Sequence, residues 1–145
     1  MTGRATALAI ETAETCRKVA GADATLFTDS ELYGSVSVLE EARRMLDAAA
    51  AHVAAELDHR DVCVEEWGLQ TGSWIARETH APVGRSRRRV SIAATLRHLL
   101  PAVDRALTEG RVEWAHAEVL AWAANERIAD QVAARGADGE QAIRP

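Results

Sequence analysis

From Leu32 onward the apolar residues recur at alternating steps of four and three: Leu32, Val36, Leu39, then Arg43 as an interruption, then Leu46, Ala50, Val53 and Leu57. A chain that holds this 3.5-residue period can bury one continuous face only as an α-helix, because a strand would alternate every second residue. The helix start is signalled by Thr28 with Glu31 three residues later, a capping box in which each side chain satisfies a backbone N–H of the first turn. The spacing predicts one long N-terminal helix over about 29–60. At 1.5 Å per residue it spans about 45 Å, more than a compact domain of this size needs, and its narrow seam calls for a partner helix. Two partners are open. Residues 5–20 carry a weaker stripe of Leu8, Ala13, Cys16 and Val19 that would close a helical hairpin. Alternatively, a second copy pairs through Leu32, Val36, Leu39, Leu46, Val53 and Leu57.

Beyond this helix, "DVCVEEWGLQTGSW" breaks the pattern, with Gly68 and Gly72 as punctuation, and reads as a connection leading to a short helix over Ser73 to Thr79. Pro82 ends that helix. Val83 to about Leu100 reads as the next, and Pro101 sits in the first turn of a short helix closed by Gly110. "EWAHAEVLAWAANERIADQVAAR" reads as a final helix ending before Gly136, with Trp114 and Trp122 as core residues. The expected architecture is all-α: one helical domain over 1–135, a long hairpin followed by a bundle of shorter helices, and a frayed tail over 136–145.

Several classes of function fall away on composition. The two cysteines, Cys16 and Cys63, are too few for a disulfide framework and read as free thiols in a reducing compartment. No stretch approaches the roughly 20 apolar residues of a membrane span, and the N-terminal apolar run is too short for a secretory signal. A cytoplasmic, soluble protein with no membrane partner is the expectation. The five histidines, His52, His59, His80, His98 and His116, have no metal-ligand spacing. Glu65 and Glu66 are adjacent, so they point apart and read as loop residues. Neither a phosphate-binding glycine loop nor a nucleophile with motif support is present, so no catalytic, cofactor or metal residue is assigned.

Charge is unevenly placed. Residues 1–71 carry 6 cations and 13 anions, residues 72–111 carry 8 and 3, and residues 112–145 carry 3 and 6, within a net charge of −5. Arg85, Arg87, Arg88 and Arg89 fall in five consecutive positions at the start of the helix from Val83. Helical geometry sets Arg85, Arg88 and Arg89 opposite Val83, Val90, Ala93 and Ala94, with Arg87 toward the Val90 side; Ile92, Leu96 and Leu99 continue the arginine face as buried residues. A short helix, a tight turn and a basic helix start form the layout of a helix-turn-helix, whose second helix meets DNA. Ala76 is small where the helices would cross, while His80 stands at the usual turn glycine and Ser86 at a position that should be apolar. Two readings remain open. The arginines contact DNA phosphates, or they pair with the acidic long helix through Glu40, Glu41, Asp47, Glu56 or Asp58, at about 0–1 kcal/mol per surface pair.

The run "TGSWIARETHAPVGRSRRRVSIAATLRHLLPAVDRALTEGRVEWAHAEVLAWA" resembles the domain of unknown function 222, the N-terminal domain of bacterial repeat proteins that usually continue into an HNH endonuclease module. The Trp74 helix, Arg88 to Ser91, the Leu100–Pro101 pair and "ALTEGRVEWAHAEVLA" carry the resemblance, which covers about residues 30–135. It implies an HNH-associated domain. An HNH module needs two histidines and an asparagine on a ββα-metal unit, and this sequence has a single asparagine, Asn125, and no paired cysteines. The chain is therefore expected not to be an enzyme. The resemblance implies a non-catalytic domain that engages DNA; a helical dimerisation module without nucleic-acid binding is the alternative.

Overall fold

The computed structural model describes residues 3–141 of the 145. They form seven α-helices and one 3-10 turn, with no strand among the described residues, so the fold is all-α. They divide into two compact units, one up to Val38 and one from Leu39 onward.

In the first unit, α1 spans Arg4–Ala20 and ends where the Gly21 N–H donates to the Arg17 carbonyl at 3.0 Å. A 3-10 turn over Ala24–Leu26 follows, and there the Asp23 carboxylate accepts from Thr25 N at 3.0 Å and Thr25 Oγ1 at 2.6 Å. These two bonds, the hydroxyl's first, hold the Asp23 carboxyl below its ordinary range. Helix α2, Asp29–His59, opens on the capping box read from the sequence: Thr28 N donates to Glu31 Oε2 at 2.8 Å, and Glu31 N to Thr28 Oγ1 at 3.2 Å. No residue of α1 is buried. Leu8 and Val19 of the α1 stripe and Leu32 and Val36 of the seam all stay exposed.

In the second unit α2 buries a face the heptad did not select. Ala48, Ala51, Ala54 and Ala55 are covered, whereas Leu39, Leu46 and Val53 of the seam are exposed. Alanine has only a methyl to accommodate, so this face admits neighbouring helices at close range. Ala48 joins Ile92, Leu96, Leu107, Ala117 and Ala121 in one core cluster, and Ala51 and Ala55 join Ala93 in a second.

The remaining helices are short until the last. Helix α3, Val62–Trp67, occupies what the sequence presents as a connection, and it carries Glu65 and Glu66 on a helix. It stops at Gly68, whose φ of 64° is open to glycine at no steric cost. Helix α4, Thr71–Thr79, and helix α5, Val83–Leu99, are joined by a tight turn in which His80 takes the left-handed conformation at φ 54°. That conformation costs a residue with a Cβ about 1 kcal/mol. Gly72 is more than punctuation: a Cβ there would lie 2.6 Å from Arg87 Cα, so its bare backbone lets α4 lie against α5. Ala76 and Ser86 are buried at the same contact.

Helix α6, Pro101–Thr108, carries Pro101 in its first turn. It closes at Gly110, φ 74°, with Gly110 N bonded to Leu107 O at 3.0 Å and Arg111 N to Ala106 O at 2.9 Å. Arg44 ties α2 to this turn through Gly110 O at 3.2 Å. Helix α7, Trp114–Gln141, continues past Gly136, where the sequence suggested an end. A glycine costs a helix interior only about 1 kcal/mol and does not stop it alone. Of the tail expected over 136–145, residues 142–145 lie outside the described residues. Trp114 packs against both core clusters, but Trp122, expected in the core, is exposed.

Candidate functional site

Of the four arginines at the start of α5, Arg85, Arg88 and Arg89 line one groove with Asp47, Trp114 and Glu118, while Arg87 lines another. Arg89 is the most engaged: Nη2 lies 2.7 Å from Asp47 Oδ1 of α2, and the guanidinium stands 4.9 Å from the centre of the Trp114 ring. A half-buried ion pair and a cation–π contact on one side chain each contribute about 1 kcal/mol. Arg88 reaches Glu118 of α7 at 3.4 Å, yet its side chain stays 73% exposed. Arg87 turns toward α4, where Nε and Nη2 donate to Ser73 Oγ at 3.2 and 3.0 Å. Arg85 is exposed and makes no hydrogen bond or ion pair among the described residues.

Of the acids read as possible internal partners, Asp47 holds one arginine of the cluster. Glu56 instead accepts from Arg60 Nε, at 2.6 Å, and from Arg97, and Glu40 pairs with Arg43 at 3.3 Å. The Arg60 and Arg97 bonds hold the Glu56 carboxyl below its ordinary range, against a smaller opposing effect of burial. Ser73 and Glu118 were not foreseeable, because neither lies on the long helix and no local pattern links them to the cluster.

Beside the arginines lies a cavity of about 390 Å³ among α2, α4, α5 and α7, floored by Ala51, Ile75 and Val90 and edged by Asp47, Arg85 and Arg89. The histidines are not assembled: His52 Nε2 meets Asp104 Oδ1 at 2.8 Å, and the His59 and His98 rings lie 6.2 Å apart. Among the described residues no three or more His, Cys, Asp or Glu side chains group as metal ligands would. Cys16 is exposed and Cys63 buried, both as free thiols. No helix among the described residues is long and apolar enough to cross a membrane.

The second candidate surface is the seam of α2. Leu39, Leu46 and Val53 lie at 47%, 42% and 62% exposure on one stripe of the helix, with Arg43 among them at 72%. Isolated exposed apolar residues need no explanation, but a stripe in heptad register is the surface that a second helix fits.

No curated protein and no solved structure matches this chain. The family described as "Domain of unknown function (DUF222)" matches residues 34–144, from the second turn of α2 through every helix that follows. On that match this chain belongs to the DUF222 family.

Proposed function

We infer that this DUF222 domain is a non-catalytic helical interaction module that pairs with a second copy of itself along α2. The observation that carries the reading is the open seam: Leu39, Leu46 and Val53 remain exposed in heptad register while the opposite, alanine-bearing side of the helix is buried. Leu32, Val36 and Leu57 extend the same register. A second copy supplies a matching seam by construction, since two-fold pairing is self-complementary. Parallel pairing would set Arg43 against its own copy, so the copies run antiparallel, with Arg43 facing the Leu46 layer. Beside an HNH module of the kind that the resemblance implies, such pairing brings two nuclease chains together. Sedimentation equilibrium at about 10 and 100 µM tests it. The expected result is a dimer that the Leu39→Glu, Leu46→Glu double variant converts to a monomer of unchanged helicity; a wild-type monomer at both concentrations overturns the reading.

A second reading, DNA contact through the start of α5, is supported in narrower form by Arg85, which has no partner among the described residues, and by the exposed Arg88. Two phosphate contacts predict about a 12-fold loss of duplex affinity between 50 and 200 mM salt. Fluorescence anisotropy of a labelled duplex measures this, and Arg85→Glu with Arg88→Glu should abolish it. No binding at low salt removes the reading.

A further inference from the structure

We propose that the groove at the N-terminus of α4 binds the phosphate group of a small, hydroxyl-bearing phosphorylated molecule. It shares the start of α5 with the DNA reading but not Arg85 or Arg88, on which that reading rests, and it does not depend on pairing along α2. The groove encloses about 600 Å³ and is lined by Asp58, Gln70, Thr71, Arg87, Ser91 and Asn125, with Gly72 at its base.

Three features converge on an anion. Helix α4 has nine residues, and Gln70 at its N-cap provides no side-chain cap. The first-turn N–H groups of Thr71, Gly72 and Ser73 therefore lack the acceptor that a capped helix supplies, and they carry the positive end of the helix dipole. Second, Thr71 is only 2% exposed, yet its hydroxyl makes no hydrogen bond among the described residues. Thr71 is one of the residues that line the groove. A nearly buried hydroxyl normally finds a partner, and a ligand in the groove that Thr71 lines would supply one.

Third, Arg87 brings a guanidinium to the same place. Among the described residues it has no carboxylate partner and donates only to Ser73 Oγ, which leaves N–H groups for an oxyanion and leaves the Ser73 hydroxyl proton free to donate. Gly72 makes this convergence possible, because any Cβ would collide with the Arg87 backbone and push the helix start away from the guanidinium.

The rest of the groove selects what carries the phosphate. Asp58 accepts from ligand hydroxyls, Gln70 and Ser91 can donate or accept, and Asn125, whose amide is bonded to Thr95, keeps a second N–H. A groove of about 600 Å³ is of small-molecule size, and Asp58 disfavours a second phosphate beside the first, which favours a monophosphate over a polyphosphate strand.

The test follows the backbone amides of Thr71, Gly72 and Ser73 in ¹H–¹⁵N spectra while ribose 5-phosphate, ribose, inorganic phosphate and a single-stranded oligonucleotide are titrated separately. Expected are saturable shifts at these amides with ribose 5-phosphate, weaker ones with inorganic phosphate and none with ribose. Thr71→Val, close in shape to the native residue, and Arg87→Gln should each weaken ribose 5-phosphate at least about tenfold, the weight of one charge-assisted hydrogen bond. The spectra themselves report whether each variant remains folded. The proposal is overturned by the absence of saturable shifts up to about 10 mM, by variants that bind as the parent does, or by an oligonucleotide that shifts the same amides more strongly than ribose 5-phosphate.

Discussion

Two faces of α2 have changed places relative to what their hydrophobicity suggests. The face with the larger apolar residues, Leu39, Leu46 and Val53, lies open, and the face of Ala48, Ala51, Ala54 and Ala55 is buried against the helices that follow. Burying a leucine yields more transfer free energy than burying an alanine. The alanine face is nonetheless chosen because it brings whole helices together, so that Ile92, Leu96 and Leu107 are covered at once. Apolar periodicity says that a helix has a face to bury; the size of the side chains decides how closely another backbone approaches.

Gly72 is the extreme case of that rule and gives the largest expected effect. In Gly72→Ala the new Cβ meets Arg87 backbone atoms at 2.6 and 2.9 Å, and backbone cannot rotate out of the way as a side chain can. A loss of about 3 kcal/mol is expected, at the upper end for overpacking. Urea denaturation measures it, and a variant as stable as the parent would show that α4 and α5 do not depend on this approach.

Ala48→Leu applies the same test to α2. Ala48 is 1% exposed at the centre of the first core cluster, so three added carbons should cost about 2 kcal/mol and lower Tm by several degrees. Val53→Ala, on the open face, should change the stability of the monomer by less than about 0.5 kcal/mol. Equal effects from the two would erase the distinction between the faces.

Much of the fold was legible because its signals are local. Thr28 and Glu31 form the capping box, Pro101 opens α6, and Gly110 closes it with a positive φ. Helix α3 was not legible, since six residues are too few to display a period, and it stands where two glycines suggest a loop. The spacing of Trp122 from Trp114 fits one face and suggests core, yet Trp122 is exposed, because the burial of a face depends on what reaches it. The arginine cluster was visible as a charge run and Asp47 of the acidic long helix as one of its possible partners, but Ser73 and Glu118 come from α4 and α7, and no spacing within residues 84–93 encodes them.

Arg89 gives a smaller effect than either packing change. Asp47→Asn removes the charge that Arg89 meets at 2.7 Å while keeping an acceptor oxygen, and Arg89 retains its place over Trp114. The expected loss is about 1 kcal/mol, falling with added salt. If Asp47→Asn instead raises duplex affinity in the anisotropy assay, the pair restrains a DNA contact as well as stabilising the fold.

The smallest effect separates the borders of the two faces by pH. Glu56 follows Ala55 at the edge of the buried face and binds Arg60 and Arg97, whereas Glu40, at the edge of the seam, pairs only with the exposed Arg43. Both Glu56 bonds are to its ionised form, so its folded pKa lies below the unfolded one. A depressed carboxyl pKa contributes stability that is complete above the unfolded value and disappears as the pH falls through the folded one. Wild type should therefore exceed Glu56→Gln in urea midpoint at about pH 7, and the two should converge at about pH 3. Glu40→Gln should track wild type at both. A gap that persists in acid would mean that Glu56 acts by packing rather than by charge, and the edge of the alanine face would then be held by contact alone.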